Sequence, residues 1–237
     1  DLSTPQNKAR NMSKVTFAMV LGFIVGPISG GLLADPHIVS WFNFDTPFIV
    51  ALLLTLINIV MLRLFYRDTA TKTATKRHYF QVMRNVFAAA LDERVRPFAF
   101  VYLVMEIGLA IFFQTITLIL ADRFTFSSSQ IGYFLTYMSV IFAIVLIAIL
   151  PILLKRLLHR TIVSIGMLCL TLGFAAYAVN MSNIVWICIM LVPCAAGMAM
   201  TYNVLMSMFS NSVSDDEQGW TMGGLTAMIS VSYTHLR

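Results

Sequence analysis

Glu106 is the only acid or base in a run of 25 otherwise uncharged residues, Pro97–Ala121. A carboxyl set that deep in apolar sequence is costly to keep ionised, which makes it a functional candidate suited to reversible protonation. On a helix, Tyr102, Phe113 and Thr117 fall within about 40° of it, a mixed aromatic and polar stripe suited to a cavity wall. The alternative is a permanently protonated acid hydrogen-bonded to a neighbouring helix. Other polar groups lie in similar apolar surroundings: Asn58, Gln114, Tyr133, Tyr137, Tyr202, Asn203 and Ser207. Tyr133 and Tyr137 are four apart, as are Asn203 and Ser207, so each pair shares a face. Pro193 and Gly197 weaken the helix that carries Tyr202 and Asn203. Tyr102, Phe113, Gln114, Thr117, Tyr137, Tyr202 and Asn203 are thus expected along a substrate path, with polar attachment between helices as the competing role. Met190, Met198, Met200, Met206 and Met208 supply adaptable apolar surface, either as a lining for varied ligands or as packing.

A second pattern is structural. Residues 22–31 read GFIVGPISGG, and Gly22, Gly26 and Gly30 recur every four residues. They fall along one helical face and let a neighbouring backbone approach closely. Pro27 removes a backbone donor and bends the helix, and Gly31 extends the smooth patch. A generic tight helix crossing would need no more than this.

The elements that hold these residues are apolar blocks. The chain has 237 residues, 59% hydrophobic and 11% charged, against about 25% charged in ordinary soluble domains. Val15–Ala34, Ile131–Leu154, Thr161–Val179 and Ile184–Phe209 carry no charge at all, and Pro47–Leu62 extends past Arg63 by snorkelling. Since a bilayer needs about 20 apolar residues per helix, the pattern predicts an all-α polytopic membrane protein with six full spans and one incomplete span beginning near Trp220. The ends read as those of a fragment. Cys169, Cys188 and Cys194 lie inside spans and read as small buried hydrophobes, without disulfide or metal spacing.

Basic residues set the orientation. Residues 1–14 hold three, residues 63–96 eight and Lys155–Arg160 three, whereas residues 35–46 and 180–183 hold none and 122–130 holds only Arg123. The basic connections are therefore expected in the cytoplasm. The net charge of +5 belongs to these loops and does not mark a nucleic-acid surface. Within residues 67–96, Phe80, Met83, Val86, Phe87 and Leu91 have helical spacing, giving an amphipathic helix on the inner leaflet or an exposed linker helix. Ser127 followed by Gln130 fits a capping box that opens the next span.

GFIVGPISGG matches G-x-x-x-G-P-x-x-G-G, and here the chain resembles the fifth-helix antiporter motif of major facilitator superfamily exporters. DLSTPQNKARNMS resembles the connection before that helix in drug:proton antiporters, and residues 63–96 resemble the loop joining the two six-helix halves. LADRFTFSSSQIG is similar to the connection between helices seven and eight of tetracycline exporters, and SDDEQGWTMGG to the turn before helix eleven. The resemblance implies a partial major facilitator fold covering helices five to eleven, two from the N-terminal half and five from the C-terminal half. Residues 1–66 would end the first half, 67–96 form the cytoplasmic linker, 97–230 the incomplete second half, and 231–237 a non-native tail. Gly22, Gly26, Pro27, Gly30 and Gly31 would form a bearing between halves that rock around a central site.

The implied activity is proton-coupled efflux of small apolar or amphipathic compounds across the inner (plasma) membrane, with protons and the lipid bilayer as partners, Glu106 as the coupling candidate and a monomer when complete. Proton-coupled uptake within the same superfamily is the alternative, and genuine termini would instead leave a seven-span receptor or assembly protein. One departure matters. Tetracycline exporters are expected to carry a histidine in helix eight and an acid in helix nine, and Ile131–Leu154 and Thr161–Val179 contain neither. A membrane enzyme is disfavoured because His37, His78, His159 and His235 all lie outside the complete spans and HExxH is absent. No cofactor or metal site is expected, and no phosphate-binding loop is present.

Overall fold

Apolar runs of this length can satisfy their backbone hydrogen bonds in lipid only as helices, and helices are what they form. The computed structural model describes residues 5–65 and 96–212, with side chains from 17 to 65 and from 96 to 209. The helices are α1 (Pro5–Leu33), α2 (Thr46–Phe65), α3 (Arg96–Asp122), α4 (Ser128–Ile144), α5 (Leu150–Arg156), α6 (His159–Val179) and α7 (Ile184–Ser212), with a π-turn, Val145–Ile149, joining α4 to α5. Among the described residues there are no strands. The expected linker helix around residues 80–91, the turn before helix eleven, the incomplete span from Trp220 and the tail all lie outside the described residues.

Among the described residues five stretches are long and apolar enough to cross a membrane: α2, α3, the continuous α4–α5 segment, α6 and α7. The sixth expected span corresponds to the shorter apolar stretch Phe17–Leu33 of α1. In α2 only Thr46 is buried, while Phe48, Leu54 and Leu64 stand exposed. A helix that is apolar all round is suited to lipid or to further helices, not to water.

The described residues fall into two units. The first comprises α1, α2 and residues 120–140. In it, Asn43 opens α2: its side-chain carbonyl accepts the N–H groups of Asp45 and Thr46 at 2.8 and 3.2 Å, and its own N–H donates to Thr46 Oγ1 at 3.0 Å. The α4 N-terminus has the reciprocal pattern expected from its sequence. The Ser127 N–H donates to Gln130 Oε1 at 2.9 Å, and the Gln130 N–H reaches back to Ser127 Oγ at 3.5 Å. These bonds satisfy donors that a helix cannot satisfy internally.

The second unit comprises residues 96–119 and 141–212 among those described. Its core is the α6–α7 hairpin packed with α3. Asn183 opens α7 by accepting the Val185 N–H at 2.9 Å. Across the hairpin the Tyr177 hydroxyl donates to the Ile187 carbonyl at 3.0 Å, and the Trp186 indole to the Ala176 carbonyl at 3.1 Å. Small residues set the closeness of the two helices. A Cβ on Gly197 would lie 2.5 Å from the Gly166 carbonyl oxygen, and one on Gly173 would meet the Cys194 sulfur. Phe112 of α3 adds rings at 5.6 Å from Phe174 and 5.4 Å from Tyr177.

The prolines behave differently from one another. α1 runs through Pro27 and α7 through Pro193 as unbroken helices. The irregularity sits before Pro151 instead. Proline cannot donate to the Ile147 carbonyl, and the chain accommodates this by a π-turn in which the Leu150 N–H bonds the Val145 carbonyl.

Candidate functional site

In the second unit, Glu106 and Tyr102 are one turn apart on α3, and both face the core. Glu106 is 6% exposed and Tyr102 fully buried. Tyr202, from α7, brings its ring to 6.0 Å from that of Tyr102, and Phe209 closes the other side at 6.2 Å, edge-on. The Glu106 carboxyl and the Tyr202 hydroxyl are the polar neighbours of the Tyr102 hydroxyl, which nevertheless makes no well-formed hydrogen bond. Met105, Leu109 and Leu205 complete the walls, with Met198 and Met206 packed against them.

No lysine, arginine or histidine occurs in 97–121, 161–179 or 184–209. The acid therefore sits among two phenols and apolar side chains, in apolar stretches that hold no cation to fix it as a carboxylate. An unpaired buried charge is expensive, and the neighbouring phenols are groups with which a carboxyl can share a hydrogen bond. Glu106 could equally donate a hydrogen bond to an amphipathic ligand.

The other predicted positions distribute as follows. Phe113 is half-buried and packs against the same core. Thr117 is half-buried, but its hydroxyl donates to the Phe113 and Gln114 carbonyls of its own helix, at 2.9 and 3.1 Å, and so is already satisfied. Gln114 is exposed. The Asn203 amide donates to the Ala199 carbonyl at 2.9 Å, which leaves its carbonyl oxygen for a partner. Tyr137 belongs to the first unit and is exposed, as is Tyr133 one turn before it. The structure thus gathers Tyr102, Glu106 and Tyr202, with Phe113 beside them.

In the first unit the glycine motif makes one close crossing. A Cβ on Gly31 would lie 2.6 Å from the Ser128 carbonyl oxygen and 2.8 Å from Gly132 Cα, and a Cβ on Gly132 would lie 2.7 Å from the Pro27 carbonyl oxygen. Among the described residues, Gly22, Gly26 and Gly30 have nothing within 4 Å of a Cβ. The close approach therefore runs along Pro27 and Gly31, and the four-residue glycine face lies open.

A group that sequence reasoning passed over stands at the end of this crossing. Asp35, two residues beyond α1, is buried. Its carboxylate accepts the Ser129 hydroxyl at 2.5 Å and the Ser129 N–H at 3.3 Å, together with the His37 N–H at 3.0 Å. His37 Nδ1 lies 2.9 Å from the same carboxylate. Bonds from Ser129, Ser127 and His37 hold the Asp35 carboxyl well below the usual carboxylate range, against the opposing effect of burial. The signal available in sequence was an acid directly after the glycine motif in a loop that lacks lysine and arginine.

Comparison with known proteins agrees with this architecture. The family model "Major Facilitator Superfamily" matches residues 1–234. The tetracycline resistance protein, class C, of Escherichia coli is 23% identical over 98% of this chain and 57% of its own length. Multidrug resistance protein 2 of Bacillus subtilis (strain 168) is 22% identical over 94% of this chain and 55% of its own length. The chain thus spans about half the length of the curated relatives it matches. With five helices long and apolar enough to cross a membrane among its described residues and this family match, the protein is a multi-pass membrane protein, and the chain belongs to the major facilitator superfamily.

Proposed function

We propose that the chain is part of a proton-coupled exporter of small apolar or amphipathic compounds, working by alternating access in the inner (plasma) membrane with its basic loops in the cytoplasm. The observation that carries this reading is Glu106: a buried acid in a span, beside the phenols of Tyr102 and Tyr202, with no cation in residues 97–121, 161–179 or 184–209. Glu106 would take up a proton from one side of the membrane and release it to the other. Ligand would occupy the surface beside it, with Phe113 and the methionines supplying adaptable apolar contact and Tyr202 and Asn203 the polar contacts.

The relatives support export, since they bear the names of tetracycline and multidrug resistance proteins. The absence of a histidine in 131–154 and of an acid in 161–179 directs the substrate away from tetracycline. The division into residues 1–66, the linker 67–96 and residues 97–230 belongs to the same proposal, as does a monomeric complete transporter.

The experiment is dye flux in inverted membrane vesicles carrying the intact gene product. With the vesicle interior made acidic, an exporter accumulates an amphipathic dye such as ethidium, and a protonophore abolishes the accumulation. Accumulation only under the reversed gradient would establish uptake in its place. No gradient-dependent flux of any amphipathic probe would remove the proposal.

A further inference from the structure

Among the described residues two acids are buried, Glu106 and Asp35, and the transport reading uses only the first. Asp35 joins segments 94 residues apart in sequence. Its carboxylate sits on the first turn of α4, where unsatisfied N–H groups and the helix dipole favour negative charge. It accepts both the Ser129 hydroxyl and the Ser129 N–H. Directly beneath, Gly31 and Gly132 bring the two backbones together without side chains. Further along, the Thr136 hydroxyl lies 3.5 Å from the Ile24 carbonyl oxygen. The joint therefore follows α1 for about three turns and ends in a single charged clasp.

Two properties would let this clasp open and close. The carboxylate lies just beyond the apolar stretch of α1, so on separation water can solvate it; the same group in mid-membrane would be stranded. The surface beneath it is glycine, so the helices can part without disengaging interlocked side chains.

We propose that Asp35 is a latch which closes the loop-side end of α1 onto the N-terminus of α4 and opens once in each transport cycle. This rests on the alternating-access reading given above. A static cap would stay closed throughout transport, so opening is the property to follow.

The experiment uses the intact gene product with Cys169, Cys188 and Cys194 replaced by alanine and with the pair Asp35→Cys and Ser129→Cys introduced. Oxidation should crosslink the pair, reduce ethidium flux at least tenfold, and leave that flux recoverable by dithiothreitol. Crosslinking yield should fall when a proton gradient and ethidium set the protein cycling. A crosslink that leaves flux unchanged would overturn the latch while leaving the export reading intact, and absence of crosslinking in every condition would remove the contact itself. If the reduced variant does not transport, the yield decides: dependence on the imposed gradient supports the latch, and a constant yield refutes it.

Discussion

Replacing Gly31 by alanine and, separately, Gly26 by alanine should move stability in opposite directions, although both are helical glycines of one motif. Alanine in a helix interior gains roughly 0.5–1 kcal/mol over glycine by reducing backbone freedom. At Gly26 nothing lies within 4 Å of the new methyl, so that gain stands alone. At Gly31 the methyl would sit 2.6 Å from a backbone oxygen, where ordinary contact begins at 3.4 Å, and α1 and α4 would have to part by about 0.8 Å. A gap of that size forfeits a quarter to a half of each contact's attraction, and overpacking of this kind costs about 1–3 kcal/mol. The net effect of Gly31→Ala is destabilisation by roughly 1–2 kcal/mol, near a tenfold change in the equilibrium. Gly132→Ala should behave likewise, since it meets the Pro27 carbonyl oxygen at 2.7 Å. The assay is thermal unfolding in detergent micelles, followed by helical circular dichroism. Equal shifts of the same sign for Gly26→Ala and Gly31→Ala would refute the reasoning, because the close crossing would then not distinguish the two positions.

Three further outcomes follow from local geometry. Ser127→Ala removes half of the capping box at α4 and should cost about 0.5–2 kcal/mol, read in the same melt; Gln130→Ala should lose less, because Ser127 can still accept a hydrogen bond. Thr201 is buried with its hydroxyl unpaired, so Thr201→Val, which keeps the shape and removes the desolvated polar group, should stabilise by about 1 kcal/mol, and a loss of stability would show that the hydroxyl is bonded. Asp35 has a carboxyl held below its ordinary value near 3.8, so its stabilising contribution is complete above about pH 5 and is shed progressively as pH falls below that; an acid titration of the melting temperature should show a decline there that Asp35→Asn flattens.

The sequence revealed much of this because its strongest signals are local. Apolar runs of membrane length need no partner to be recognised, and the Ser127–Gln130 capping box closes within four residues. The stripe Tyr102–Glu106 is likewise fixed by helical spacing. What escaped depends on a second segment. The four-residue period of Gly22, Gly26 and Gly30 marks a face, but only the position of Gly132 makes Gly31 the crossing point. Asp35 reads as a loop acid until Ser129 arrives from far along the chain. The α6–α7 contacts of Gly166 with Gly197, and of Gly173 with Cys194, are pairings between helices for the same reason. Pro151, which carries the π-turn, was less conspicuous than Pro27 or Pro193, yet those two lie inside unbroken helices.

The most direct test of the transport account is proton release on substrate binding. The purified intact gene product, in weakly buffered detergent solution with a pH indicator, is mixed with ethidium. The account predicts that the wild-type protein releases protons and that Glu106→Gln, still folded by circular dichroism, releases none. Equal proton release from Glu106→Gln would contradict it, and the coupling proton would have to be sought on another group.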